Sequence, residues 1–245
     1  MIARPVVALL IVSLACLGTG TVEPLSAGGI HVLFVGNSLT YVNDLPTTVA
    51  SLGALSGDTI RVATAAGPDL ALIDHWDGAS NARDLIAQGG WHFVVLQQGP
   101  SSVPVNRDTL VLATKLFAPL IRAAGAKPAL FMVWPSADRF AYFDDVRASY
   151  QAAALSVGGV FMPAGVGWMN SWVSDSTFVL YGSDGYHPSP LGTYVAALVI
   201  YERVTGRDAR SLPATLIVGS TRLSMPTAQV RLLQAAAHAA NVQYP

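Results

Sequence analysis

Residues 30–40 read Ile30-His31-Val32-Leu33-Phe34-Val35-Gly36-Asn37-Ser38-Leu39-Thr40, a short apolar run that stops at a glycine and two small polar residues. A strand with one wet face would alternate apolar and polar residues. Val32 to Val35 is apolar at every position, which is the pattern of a strand covered on both faces. Comparable runs recur at 59–64, 92–97, 129–134 and 159–162. Between and after them lie longer amphipathic segments with legible ends. One helix is expected from about Asp44, with Pro46 in its first turn, to Gly57 past its end. Others are expected over 107–124, 140–156 and 227–240. The most sharply bounded is 190–205: Ser189 can cap it, Pro190 suits its first position, and Gly206 follows it. Leu191, Tyr194, Val195, Leu198 and Tyr201 give that helix a core face. Strands alternating with helices predict an α/β domain built on a mostly parallel sheet. No repeat or low-complexity linker interrupts the pattern, so residues 28–245 read as one domain.

Composition narrows the function classes. Of 245 residues, 12% are charged, and 14 basic side chains face 15 acidic ones. Such a chain has no broad positive field for a phosphate backbone, so nucleic acid is not an expected partner. One cysteine, Cys16, can form neither an internal disulfide nor a cysteine-based zinc cluster. Residues 6–17, VVALLIVSLACL, follow Arg4 and precede small and turn-forming residues through Ala27, which is the anatomy of a signal peptide. The run is shorter than the about 20 apolar residues that span a bilayer. Export of the domain, secreted or periplasmic, is therefore expected, with no stable membrane span in the mature chain. Lipid anchoring through Cys16 is the alternative, although Ser13 stands where a lipobox usually has leucine. Removing residues 1–27 takes away Arg4, Glu23 and the only thiol.

In an open parallel sheet, ligands bind beyond the carboxyl ends of the strands. After the first run, Gly36 permits a tight turn, and Ser38 sits between a strand end and a helix with backbone N–H groups nearby. Alone, such a serine is more often a helix cap. Near the other end stands Tyr181-Gly182-Ser183-Asp184-Gly185-Tyr186-His187-Pro188, just before the 190–205 helix. A serine nucleophile needs a base, and the base needs a carboxylate to fix its tautomer. Asp184 and His187 are spaced for that pairing, and Pro188 holds His187 out of helical geometry. The competing reading is a surface turn that caps the helix.

These blocks resemble the SGNH hydrolases, the GDSL-like lipase/acylhydrolase superfamily. Its members place the nucleophilic serine after the first strand and an Asp-x-x-His pair near the C-terminus. Here the serine block is VGNSLT, with Asn37 where many members have Asp, and the C-terminal block is DGYHPSPLG. The resemblance runs from about Ile30 to Gly206. It implies a three-layer α/β/α sandwich of about five parallel strands, similar in layout to flavodoxin. It also implies a Ser38-His187-Asp184 triad that forms an acyl-enzyme on carboxylic esters, without cofactor or metal. The oxyanion would be held by backbone N–H groups of Ser38 and Gly67 and by a side-chain amide. Where the family commonly has Gly-x-Asn-Asp, this chain reads Leu96-Gln97-Gln98-Gly99-Pro100-Ser101. Gln97 is the expected donor, with Gln98 as fallback and Ser101 as a substitute. Export together with the resemblance points to small-molecule or glycan esters as substrates.

Other readings fit less well. An α/β-hydrolase elbow needs Gly-x-Ser-x-Gly, and Thr40 occupies the last place. GNSLTY lacks the G-x-G-x-x-G of a dinucleotide site. His31, His75, His92 and His238 are scattered without a metal-ligand motif and read as surface or structural. Trp134 and Trp168 could line a cleft, but core packing is the more frequent role. An O-acyltransferase and a catalytically degenerate binding protein remain as alternatives.

Overall fold

The computed structural model of the protein describes residues 28–245; the expected leader and Cys16 lie outside the described residues. Five strands, β1 (Ile30–Gly36), β2 (Ile60–Ala66), β3 (Phe93–Leu96), β4 (Lys127–Phe131) and β5 (Val160–Met162), form one sheet. Their order is β2-β1-β3-β4-β5, and every neighbouring pair is parallel. The helices are α1 (Ser38–Tyr41), α2 (Leu45–Leu55), α3 (Leu72–Trp76), α4 (Ala82–Gln88), α5 (Pro104–Ala123), α6 (Phe143–Ser156), α7 (Ala164–Ser174), α8 (Pro190–Thr205) and α9 (Thr227–Gln243). One group, α2, α7, α8 and α9, packs together, and α3 to α6 form a second group. This is the expected three-layer α/β/α arrangement.

β1 is buried throughout except at its first residue because it lies between β2 and β3 in the middle of both layers. The β2 edge is wetter, with Arg61 and Thr64 exposed, as an edge strand tolerates. The chain leaves β1 on one side to make β2 and returns on the other to make β3. That reversal is the topological switch point, where the carboxyl ends of adjacent strands leave a crevice. Ser38 follows one of those two strands and Gln97 the other.

Helix ends follow the expected chemistry. Asp44 caps α2 by accepting the Thr47 N–H, and Ser189 caps α8 by accepting from Leu191 and Gly192. Gly206 ends α8 at φ 70°. The single core face expected for α8 understates its burial: every residue from Gly192 to Tyr201 is buried, because α2, α7 and α9 all pack on it. The short α3 and α4, the helix α7 and an antiparallel hairpin of β6 (Leu216–Val218) and β7 (Thr221–Leu223) were not expected from the sequence. Among the described residues no helix is long and apolar enough to cross a membrane.

Gly192 is where α8 meets α7 most closely. A Cβ there would run into the Leu180 carbonyl oxygen and the Trp168 ring, both held by a packed core. Gly192→Ala should therefore lower the unfolding free energy by about 1–3 kcal/mol, the usual cost of overpacking, as read from denaturant unfolding curves.

Candidate active site

Ser38 opens α1 directly beyond β1 and is 8% exposed. Among the described residues, neither its hydroxyl nor its amide has a hydrogen-bond partner. Its position is set by neighbours on both sides. Asn37 caps α1, its Oδ1 accepting the Leu39 N–H at 3.1 Å, while its Nδ2 donates to the Leu70 carbonyl at 3.1 Å. An aspartate at 37 would have no proton for that carbonyl, which accounts for the amide in this chain.

The loop that carries Asp184 and His187 brings the two side chains together. The β-bridge between Tyr181 and Pro188 closes the loop. Within it, His187 Nδ1 lies 2.5 Å from Asp184 Oδ2. Asp184 Oδ1 accepts the backbone N–H groups of Tyr186 and His187, both at 3.0 Å. The His187 hydrogen bond, helped by the Tyr186 amide, pulls the Asp184 carboxyl down to about 2. With Nδ1 engaged, Nε2 is the ring nitrogen left to exchange protons. A long-range tie joins this loop to the Ser38 segment: Asn43 Nδ2 donates to the Pro188 carbonyl at 2.8 Å and to Thr193 Oγ1 at 3.0 Å. Ser38 and the Asp184–His187 pair thus stand at one edge of the sheet.

The expected oxyanion donors are placed differently. Gln97 is fully buried, and its amide is consumed within the Ser38 loop. Its Oε1 accepts the Asn37 N–H at 2.9 Å and the Thr40 hydroxyl at 2.7 Å. Its Nε2 donates to Asn37 Oδ1 at 2.9 Å and to the Gln98 carbonyl at 2.5 Å. A backbone N–H can only donate and a carbonyl can only accept, so the amide cannot be flipped. The expectation of Gln97 as an oxyanion donor is therefore corrected: it is a clamp. The fallback, Gln98, lines the cleft but gives its Nε2 protons to Ser101 Oγ and the Asn106 carbonyl, at 2.8 and 3.3 Å. Ser101 Oγ donates to the Gly99 carbonyl at 3.0 Å. The Gly67 N–H is directed at the Gly36 carbonyl at 3.3 Å, so among the expected donors only the Ser38 amide is uncommitted.

A hollow of about 260 Å³ begins at this edge, lined by Asn37, Asp69, Gln98, Gly99 and Tyr186 among others. Tyr186 was not singled out from the sequence, although it lies inside the DGYH stretch. Its ring meets that of His187 edge-on at 5.2 Å. Burial, and then the Asp69 and Asp184 charges, push its phenol up, so it is protonated at neutral pH. Tyr150, wholly buried on α6, secures the cleft wall: it accepts the Gln98 N–H and donates toward the Gln98 and Gly99 carbonyls.

The remaining histidines are elsewhere or committed. His75 bridges the Gly36 carbonyl and Ser80 Oγ beneath the site, and burial lowers its pKa. His31 and His92 meet at the opposite edge of the sheet. His238 joins Glu202 and Asp208 in a cluster beside the far end of α8, where Arg210 already neutralises Asp208. Trp134 and Trp168 are buried and stacked at 3.6 Å rather than lining the cleft.

Comparison with known proteins bears on the fold. No protein-family model matches the sequence, and no curated protein matches it. Among solved structures, a DUF4886 family protein from Bacteroides uniformis superposes with a TM-score of 0.70 at 20% identity, over 88% of this chain and 95% of that one. A candidate SGNH hydrolase from Slackia heliotrinireducens has a TM-score of 0.59 at 26% identity, over 71% of this chain and 98% of that one. A lipase/acylhydrolase from Enterococcus faecalis has a TM-score of 0.58 at 16% identity, over 73% and 96%. The fold is that of the SGNH, GDSL-like hydrolases.

Two expectations follow. Gln97→Ala would leave the Asn37 N–H and other buried polar groups unpaired, each costing about 1–3 kcal/mol. Unfolding curves should show a loss of at least about 2 kcal/mol, whereas an oxyanion donor would cost activity and leave stability alone. For Asp184, the folded pKa is depressed, so its stabilising contribution is present above the ordinary carboxylate value of about 3.9 and is lost as pH falls toward 2. A carboxyl-resolved NMR titration should give a midpoint near 2 in the intact protein and a clearly higher one in His187→Ala.

Proposed function

We propose, starting from an SGNH-type fold, that this protein is a serine esterase that cleaves carboxylic esters through a Ser38-His187-Asp184 triad. The observation that carries the reading is the 2.5 Å Asp184–His187 pair tied by Asn43 to the loop that presents Ser38. In this reading, Ser38 Oγ bonds to the ester carbonyl carbon as its proton passes to His187 Nε2. The carbonyl oxygen becomes an oxyanion, with the Ser38 amide as the donor available to it. Collapse breaks the bond to the alcohol, whose oxygen takes the proton from His187. Water then repeats the attack on acyl-Ser38, and its proton passes through His187 to Ser38 Oγ as the carboxylic acid leaves. Asp184, ionised throughout, stabilises the imidazolium formed twice in the cycle.

The substrate class is a small ester, with acyl groups on carbohydrates as the physiological version if the domain is exported. The similar Slackia protein, a candidate SGNH hydrolase, and the Enterococcus lipase/acylhydrolase support ester chemistry in general. The commitment of both Gln97 and Gln98 amides favours a second reading, a binding protein that has lost catalysis. One experiment decides between them. Purified residues 28–245 should hydrolyse an activated acetyl ester, and a fluorophosphonate should add its mass to Ser38. Ser38→Ala should cut kcat by about a thousandfold or more and abolish labelling, with an unchanged circular dichroism spectrum. Hydrolysis that survives Ser38→Ala removes the assignment; no hydrolysis and no labelling of the intact protein leave the binding reading.

A further inference from the structure

The hollow that starts at Asn37 does not end at Tyr186. A second hollow of about 200 Å³ shares Pro100, Ser101, Asn106 and Tyr186 with it and continues to Ser102, Ser136 and Arg139. The two hollows meet at those four residues, and Arg139 is the one cationic side chain among the described residues lining the cleft they make together. Arg139 has no ion-pair partner among the described residues. Of its five N–H donors, one makes a single long contact, 3.4 Å, to Ser102 Oγ. The guanidinium lies over the Tyr142 ring, 4.5 Å from its centre, which orients the plane and leaves the edge donors free. The segment that bears it is fixed to the acid-base loop: the Ala137 N–H donates to the Gly185 carbonyl at 2.8 Å, and the Tyr181 hydroxyl donates to the Pro135 carbonyl at 2.7 Å. Asp69 lines the other end of the cleft. The cleft therefore has one negative and one positive end, with Tyr186 common to its two parts.

We infer that the cleft selects esters carrying a carboxylate, held at its far end by the Arg139 guanidinium with Ser102 and Ser136 beside it. This rests on the esterase reading above. A single planar guanidinium matches a monoanionic carboxylate in a bidentate fork, and Asp69 repels the same group from the opposite end, which fixes the orientation of the substrate. Arg139 here is a specificity residue and takes no part in the chemistry at Ser38.

The test uses matched ester pairs that differ only in the charge: para-acetoxybenzoate against para-acetoxybenzamide, and para-nitrophenyl hemisuccinate against its methyl ester. In at least one pair the intact protein should favour the carboxylate in kcat/KM by about tenfold or more, the size of one charge-assisted hydrogen-bonded contact. Arg139→Gln should bring that ratio near one, and Arg139→Lys should restore part of it. A ratio near one in the intact protein for both pairs, or a preference that survives Arg139→Gln, overturns the inference. If neither member of either pair is hydrolysed, the esterase reading fails, and calorimetry decides the anion site separately. Ser38→Ala should then bind para-acetoxybenzoate more tightly than the benzamide only while Arg139 is present; equal binding with and without Arg139 overturns it.

Discussion

The sheet edge that bears Ser38 depends on one carboxamide. β1 and β3 are paired in parallel with Val35 opposite Leu96, so Gly36 and Gln97 are the next residues across from one another at the switch point. Both strands end here with backbone groups that no further strand can satisfy. Gln97 answers that deficit with four hydrogen bonds, to the Asn37 amide, Asn37 Oδ1, Thr40 Oγ1 and the Gln98 carbonyl. In a site closed to water each of these would otherwise cost free energy. The close approach also explains the glycine at 36: a Cβ there would collide with Gln97 Oε1 and Thr40 Oγ1. Ser38 is positioned by this knot and by no contact of its own hydroxyl.

The loop of Asp184 and His187 presents the opposite problem, since these two side chains are partly exposed, 33% for His187 and 50% for Asp184. Exposed side chains on a loop hold a geometry only if the backbone beneath them is held. Here the backbone is hung from the core. Trp134 Nε1 donates to the Tyr186 carbonyl and Trp168 Nε1 to the Gly192 carbonyl, both at 3.0 Å, and the two indoles stack on one another. The tryptophans therefore serve the site from inside the core. Apolar packing places their rings, and the indole N–H groups hold the loop at Tyr186 and the first turn of α8 at Gly192.

These facts separate what is legible in a sequence from what is not. Strands β1 and β3 to β5 overlap the runs read from apolar continuity, because burial on both faces leaves a compositional trace. Their ends shift by up to three residues, most at β4, which stops at Phe131 although the apolar run continues through Trp134. The Asp184–His187 pairing is local, three residues apart, so spacing and the following proline suffice. The roles of Gln97 and Gln98 are not local. Strand alternation says that one faces each way but not which way is the cleft, and only the register with β1 shows that Gln97 has four buried partners waiting. Arg139 gave no signal at all, since its meaning comes from the segment that bears it docking on residues 181–185.

Asn43 brings the two halves into register. The residues it joins are 145 and 150 positions away in sequence, and its own backbone lies at φ 55°, a left-handed conformation that non-glycine residues adopt at some cost and asparagine more readily than most. Asp44 follows at φ 53° and then caps α2. The chain thus turns sharply twice between the Ser38 helix and α2, against the usual preference for relaxed backbone. That turn aims one amide at both the Pro188 carbonyl, adjoining His187, and Thr193 in the first turn of α8. A glycine would relieve the strain but remove the donor. Strain at Asn43 is thus the local consequence of fastening the Ser38 loop from one end of the chain to the Asp184–His187 loop from the other.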